Sequence, residues 1–197
     1  MAKVPYEDKR LSIEVPGGDF SKVIRPEFDE MKAKGELDVS LGKVPFLSVD
    51  GVKIGQSKAI EWYLAQKFGF AGSNDVEAAQ VMQLAETMRD IKAEYQKAKA
   101  TEEGKAKWFA EDLPAWMMKA EKSLPAGPGP WLVGSKVSYA DVVYYLTVAV
   151  GDGAYFDNID GAKASWAACP RIAAAMAAVD AIPEIKEWIE KRPKTPF

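Results

Sequence analysis

Over the first 55 positions the apolar residues fall in short β-type runs, Arg10 to Val15 and Pro45 to Val49, set between polar and glycine-bearing stretches. Such runs predict short strands, because successive side chains of an extended chain point to opposite faces. Asp50-Gly51, lying between Phe46–Val49 and Val52–Ile54, predicts a two-residue hairpin turn and therefore a small sheet. From Ser57 the period changes. Ile60, Tyr63, Leu64 and Phe68 recur at spacings of three and four, which predicts a helix with Ser57 as its cap.

Gly69, Gly72, Ser73 and Asn74 break that pattern and mark a boundary, dividing the chain into a domain over residues 1–70 and another over 76–197. In the second, Val81, Leu84, Met88, Ile91 and Tyr95 draw one apolar stripe along a helix of several turns. Phe109, Leu113, Trp116, Met117, Ala120 and Leu124 draw another, which ends at Gly127-Pro-Gly-Pro130. Residues 138–150 are apolar nearly all round, the pattern of a helix at the centre of a bundle, and Ser138 with Asp141 forms a capping box at its start. Two more helices are predicted over Ile172–Ile182 and Glu184–Lys191, with Pro183 suited to a first helical turn and Pro193 stopping the chain. The fold class is thus a small α/β domain followed by an all-α domain.

Charge and composition then narrow the chemistry. The 26 basic and 29 acidic residues leave a formal charge of -3, which gives no phosphate-tracking surface, so nucleic acid is not an expected partner. There is no histidine, which removes the usual nitrogen ligand for zinc or copper and every Ser-His or Cys-His nucleophile pair. The single cysteine, Cys169, makes no internal disulfide and matches no redox motif. No apolar run approaches a membrane span and the charged start lacks a secretory pattern, so the expectation is a cytoplasmic protein without a membrane partner.

The stretch GKVPFLSVDGVKIGQSKAIEWYLAQKFGFAG, Gly42 to Gly72, resembles the second half of the thioredoxin-like domain of a glutathione transferase. A V-P pair opens a strand, a D-G hairpin follows, and Q-S-x-A-I begins the next helix. The resemblance continues through the G-x-x-x-S-x-A-D pattern at Gly134 to Asp141 and through AIPEIKEWIEKRP near the end, which is similar to the sigma-class tail. It implies a glutathione site. Pro45 would be cis and would turn the N–H and C=O of Val44 toward the extended cysteinyl unit of glutathione. Gln56 and Ser57 would hold the γ-glutamyl carboxylate at a helix N-terminus. Phe28 and Lys32 match the spacing of the sigma-class Trp and Lys that grip the glycyl end, although phenylalanine lacks the indole N–H. Asp90 falls where sigma enzymes place a carboxylate that reaches the glutathione amine in the partner subunit, and the expected assembly is a homodimer or a complex with an assembly partner.

PYEDKRL resembles the second strand of a sigma-class domain, yet only four residues precede Pro5, and extra residues lie around Lys34 to Ser40. The family's first strand and helix, with the tyrosine whose hydroxyl stabilises the glutathione thiolate, are therefore expected to be missing, leaving an incomplete thioredoxin-like domain ahead of the helical bundle. The gap is filled either by a partner chain or domain-swapped copy, or by Arg10–Val15 re-registered as first strand. In that register a helix starts at Ser21, whose hydroxyl imitates the serine of other transferase classes. Tyr6 sits in the second-strand motif and points elsewhere. Tyr95 either lines a pocket for an apolar electrophile or belongs to the core, and Cys169 reads as structural.

The function implied is glutathione binding in a transferase fold, with conjugation of the thiolate to small apolar electrophiles slow or lost. The alternatives are a non-catalytic scaffold subunit of a larger assembly, and an incomplete gene model of an ordinary sigma-type enzyme.

Overall fold

The computed structural model describes residues 4–151 and 155–192. The chain divides into two compact units, one up to Leu64 and the other from Ala65 onward.

In the first unit, the residues before Pro26 contain one isolated antiparallel bridge, in which Glu14 and Ile24 exchange backbone hydrogen bonds of 2.9 Å each. The expected strand over Arg10–Val15 is not there. Pro16 has no N–H to continue a ladder, and Gly17 and Gly18 turn the chain away at φ 63° and 76°, so Glu14 alone finds a strand partner. Ser21 does not begin a helix either. It lies in a single 3-10 turn, Phe20–Lys22, where the Asp19 carboxylate accepts its N–H at 3.0 Å and its hydroxyl at 2.7 Å. The re-registered first strand therefore does not form.

Helix α1, Pro26–Ala33, has proline in its first turn, where the missing N–H costs nothing, and Glu27 and Asp29 beside the positive end of its dipole. A 3-10 turn at Asp38–Ser40 follows. Strands β1, Phe46–Val49, and β2, Val52–Gly55, then pair antiparallel, with Phe46 opposite Gly55 and Val49 opposite Val52. Asp50 and Gly51 take φ 50° and 82°, the doubly left-handed turn that matches the twist of a hairpin. Among the described residues this hairpin is the whole sheet. Helix α2, Ser57–Lys67, follows directly, and the division between the units falls near its end.

Every regular element among the described residues from Asp75 onward is helical. Asn74 caps α3, Asp75–Ala98, by accepting the Glu77 N–H at 3.0 Å, and the predicted stripe Val81, Leu84, Met88, Ile91 and Tyr95 is buried along it. Helices α4, Glu102–Lys107, and α5, Leu113–Ser123, are joined by a π turn over Trp108–Asp112. Pro114 explains the wider turn, because it cannot donate to a carbonyl four residues earlier in a regular helix. Helix α6, Tyr139–Tyr144, likewise runs into a π turn over Tyr145–Ala149, so the expected core helix is interrupted midway. Helices α7, Ile159–Ala164, α8, Pro170–Asp180, and α9, Pro183–Lys191, complete the unit.

Tyr95 resolves toward the core. It is 2% exposed, stacks edge-on to Phe156 at 4.9 Å, and donates its hydroxyl to Asp157. Asp157 also pairs with the Lys105 ammonium at 2.7 Å. Burial pushes the Asp157 carboxyl up, but Lys105 and the Tyr95 hydroxyl outweigh it and hold the group below the usual carboxylate range. Cys169 is also structural: it is fully buried, its thiol lies 3.6 Å from the Met118 sulfur, and burial raises its pKa.

Asp141 ties the α6 end together. It is fully buried and accepts from the Leu132 N–H at 2.8 Å, the Ser138 N–H at 2.8 Å and the Ser138 hydroxyl at 2.6 Å. The same carboxylate thus caps the helix and pins the preceding loop. Burial pushes its carboxyl up, opposed by these hydrogen bonds.

Two outcomes follow for stability. Asp141→Ala leaves three buried donors unmatched and is expected to cost about 3 kcal/mol in urea unfolding; a loss below about 0.5 kcal/mol contradicts the assigned role. Because the folded Asp157 pKa is depressed, its contribution is present above the unfolded value of about 3.9 and is lost as pH falls through the folded value. The stability deficit of Asp157→Asn relative to wild type is therefore expected at pH 7 and to shrink on acidification below about pH 4, read from thermal midpoints.

Candidate binding site

The hairpin register decides which residues meet. Phe46 faces Gly55, so Val44-Pro45 before β1 and Gln56-Ser57 after β2 emerge at the same end of the hairpin. The Val44-Pro45 peptide is cis. Val44 is half exposed, and among the described residues neither its N–H nor its C=O has a backbone partner. It leaves one main-chain donor and one acceptor open in a position that continues a strand.

Across from it, Gln56 sits at φ 67°, a left-handed conformation that few non-glycine residues adopt. This turn converts the strand into helix α2 without a linker. The Gln56 carbonyl accepts the Ile60 N–H at 3.0 Å, so Gln56 occupies the cap position predicted for Ser57, and Ser57 is the first helical residue. Among the described residues the N–H groups of Ser57, Lys58 and Ala59 carry no backbone partner. Gln56 and Ser57 are both exposed. Free donors and the positive end of the α2 dipole suit an anion at this point.

Gly55 makes the tight junction possible. A Cβ there would stand 2.3 Å from the Val39 carbonyl oxygen, so the 3-10 turn at Asp38–Ser40 packs against the end of β2 only because the position is glycine. Lys32, exposed on α1, lays its stem over Gly42, with its Cε 3.1 Å from where a Gly42 Cβ would be. Its ammonium is thereby brought toward the loop that leads into Val44. Phe28 lies one helical turn earlier, half-buried, with the Arg25 guanidinium 4.5 Å above its ring. Asp90 belongs to the second unit, on the exposed side of α3.

Of the residues singled out from the sequence, the structure gathers Val44, Pro45, Gln56 and Ser57 at one hairpin end and directs Lys32 toward the loop before them. Lys43, exposed and adjoining Val44, stands there too. Nothing in the pattern of the chain marks it, since a lone lysine before a strand has no periodicity to betray it. Tyr6 is 72% exposed. Among the described residues no cluster of side chains suits a metal ion.

Residues 85–192 match the family model described as "Glutathione S-transferase, C-terminal domain". The chain is 34% identical to the hematopoietic prostaglandin D synthase of Gallus gallus over 98% of its own length and 87% of that protein's. The chain belongs to the glutathione transferase family. Glutathione S-transferase 1 of Ascaris suum is 29% identical across 100% of this chain and 88% of that one. Among solved structures, the glutathione S-transferase of Ascaris lumbricoides superposes with a TM-score of 0.71 at 29% identity, covering 100% of this chain and 89% of the other. Na-GST-3 of Necator americanus gives 0.68 at 28% identity over 86% and 83% of the two chains. As a transferase-family fold, the first unit is the thioredoxin-like part, carrying a two-stranded sheet among its described residues, and the second is the helical part.

Gly55→Ala is expected to displace the Val39 turn and cost about 2 kcal/mol, measured by chemical denaturation. A change within about 0.5 kcal/mol means that the close approach is not required.

Proposed function

We propose that this transferase-family chain binds glutathione at the open end of its hairpin, in the manner of the sigma class, and conjugates it only slowly. The observation that carries the reading is the pairing of an open peptide group at Val44 with the free N-terminal N–H groups of α2 on the same hairpin end. An extended tripeptide with a carboxylate at each end fits that arrangement. Its cysteinyl unit pairs with Val44 as an added strand. Its γ-glutamyl carboxylate lies at Ser57 with Gln56 beside it, on the helix N-terminus. Lys32, with Lys43 next to Val44, supplies positive charge for the glycyl carboxylate, while Phe28 contributes only an apolar edge.

Slow conjugation is supported by three hydroxyls of the first unit that are already bonded elsewhere or stand in solvent. A free thiol has a pKa near 8.5, so only a few per cent is thiolate at neutral pH unless a donor stabilises it. Ser21 gives its hydroxyl to Asp19 and Ser40 gives its own to Pro45, while Tyr6 stands in solvent. Lack of one preorganised donor costs about 10²- to 10³-fold in turnover. The acceptor is a small apolar electrophile. Residues 1–70 serve as the glutathione-binding domain and 76–197 as the helical one, in a cytoplasmic homodimer whose partner subunit offers Asp90.

Calorimetric titration of the full chain with glutathione tests this directly. Binding is expected, and Ser57→Ala is expected to raise Kd about tenfold by removing a hydrogen bond to a carboxylate. A folded chain that takes up no glutathione contradicts the reading. On the same sample, conjugation to an aryl halide is expected to run at least 10²-fold below an ordinary transferase assayed beside it; equal turnover contradicts the second half of the proposal.

A further inference from the structure

Ser40 lies on the turn between α1 and β1 and is 3% exposed, an uncommon depth for a serine. Both of its polar arms are used on one short stretch of chain. Its carbonyl accepts the Lys43 N–H at 3.1 Å, and its hydroxyl donates to the Pro45 carbonyl at 3.0 Å. One residue therefore binds the main chain on both sides of Val44 and leaves the Val44 N–H and C=O as the open pair between the two anchors.

The clamp is itself held. Val39, the preceding residue, presses its carbonyl into the space left by the missing side chain of Gly55, and the Ser40 hydroxyl lies 2.5 Å from where a Gly55 Cβ would be. Leu37, at the start of the turn, is fully buried, and its carbonyl accepts the Ser40 N–H at 3.0 Å and the Gly42 N–H at 3.0 Å. Leu41 and Gly42 then take φ 54° and 71°, which folds the chain back to bring Lys43 over Ser40. Gly55 immediately precedes Gln56, so the same contact joins the Val44 side of the hairpin end to the helix side.

We propose that Ser40 is a positioning residue, which sets the direction of the open Val44 peptide group and through it the affinity for the cysteinyl unit of glutathione. The proposal rests on the glutathione reading of this hairpin end. Ser40 touches no ligand in it; the residue acts through Lys43 and Pro45. Fixing a peptide group beforehand lowers the ordering cost of adding a strand, so the effect belongs in affinity.

The test compares wild type with Ser40→Ala in the full chain by two measurements, glutathione titration and amide hydrogen exchange at Val44 and Phe46 in the free protein. Val49→Ala, on the same hairpin away from the clamp, serves as a control for general destabilisation. Loss of one buried hydrogen bond predicts about a fivefold rise in Kd for Ser40→Ala. Exchange at Phe46, the amide that follows Pro45, is expected to quicken, while Val49→Ala leaves Kd unchanged. Unchanged Kd and exchange in Ser40→Ala overturn the inference alone. An equal rise of Kd in Val49→Ala also overturns it, because the effect is then one of stability. A wild-type chain that binds no glutathione overturns the underlying reading and this inference with it. If Ser40→Ala fails to fold, Ser40→Cys replaces it as a near-isostere with a weaker donor, expected to give a smaller rise of the same sign; no rise overturns the inference.

Discussion

Everything placed at the candidate site depends on the pairing of Phe46 with Gly55. That pair closes the hairpin, and the chain leaves it at both ends under tight constraint, through Val44-Pro45 on one side and the left-handed Gln56 on the other. A slip of one residue would exchange the faces of both strands and separate the Val44 peptide group from the start of α2. The doubly left-handed Asp50-Gly51 turn fixes the register from the far end, and the Val39 carbonyl seated at Gly55 fixes it from the near end. The hairpin is short, and a two-stranded ribbon is only marginally stable by itself. Its order therefore comes from what is packed and bonded around it, including the Asp38–Ser40 turn and the Ser40 hydroxyl on Pro45.

The second unit obeys a different logic. Its apolar stripe on α3 and the buried aromatic group around Tyr95 and Phe156 supply burial, while Asp141 supplies direction by capping α6 and holding Leu132 at once. Arg171 and Glu121 repeat that device: Glu121 accepts the Arg171 and Ile172 N–H groups at the start of α8, and the Arg171 guanidinium reaches the Leu124 and Pro125 carbonyls. The start of α8 is thus satisfied from α5, whereas α3, α4 and α7 are capped by the adjoining Asn74, Thr101 and Asn158.

Periodicity made most of the helices legible, because stripes such as Val81 to Tyr95 need only their spacing to declare a buried face. The Asp50-Gly51 turn was equally plain, since its residue types answer a specific backbone demand. Arg10–Val15 misled because alternation marks a strand only when a partner edge exists, and in the structure Glu14 alone meets one. Neither π turn is legible in the sequence: the apolar pattern of 138–150 survives a widened turn, and the stripe from Phe109 to Leu124 keeps its spacing across Pro114. At the site, motif resemblance located Val44, Pro45, Gln56 and Ser57, but not the left-handed conformation of Gln56 or the clamp at Ser40. Those depend on contacts between distant segments, such as Val39 with Gly55, and no local pattern encodes them.

The central claim is that one hairpin end receives an extended tripeptide. Mapping amide chemical shifts of the labelled chain during titration with glutathione tests it most directly. The account predicts that the largest changes fall at Val44, Ser57, Lys58 and Ala59, with Lys43 following. Changes confined to other parts of the chain, or none at saturating ligand, contradict it.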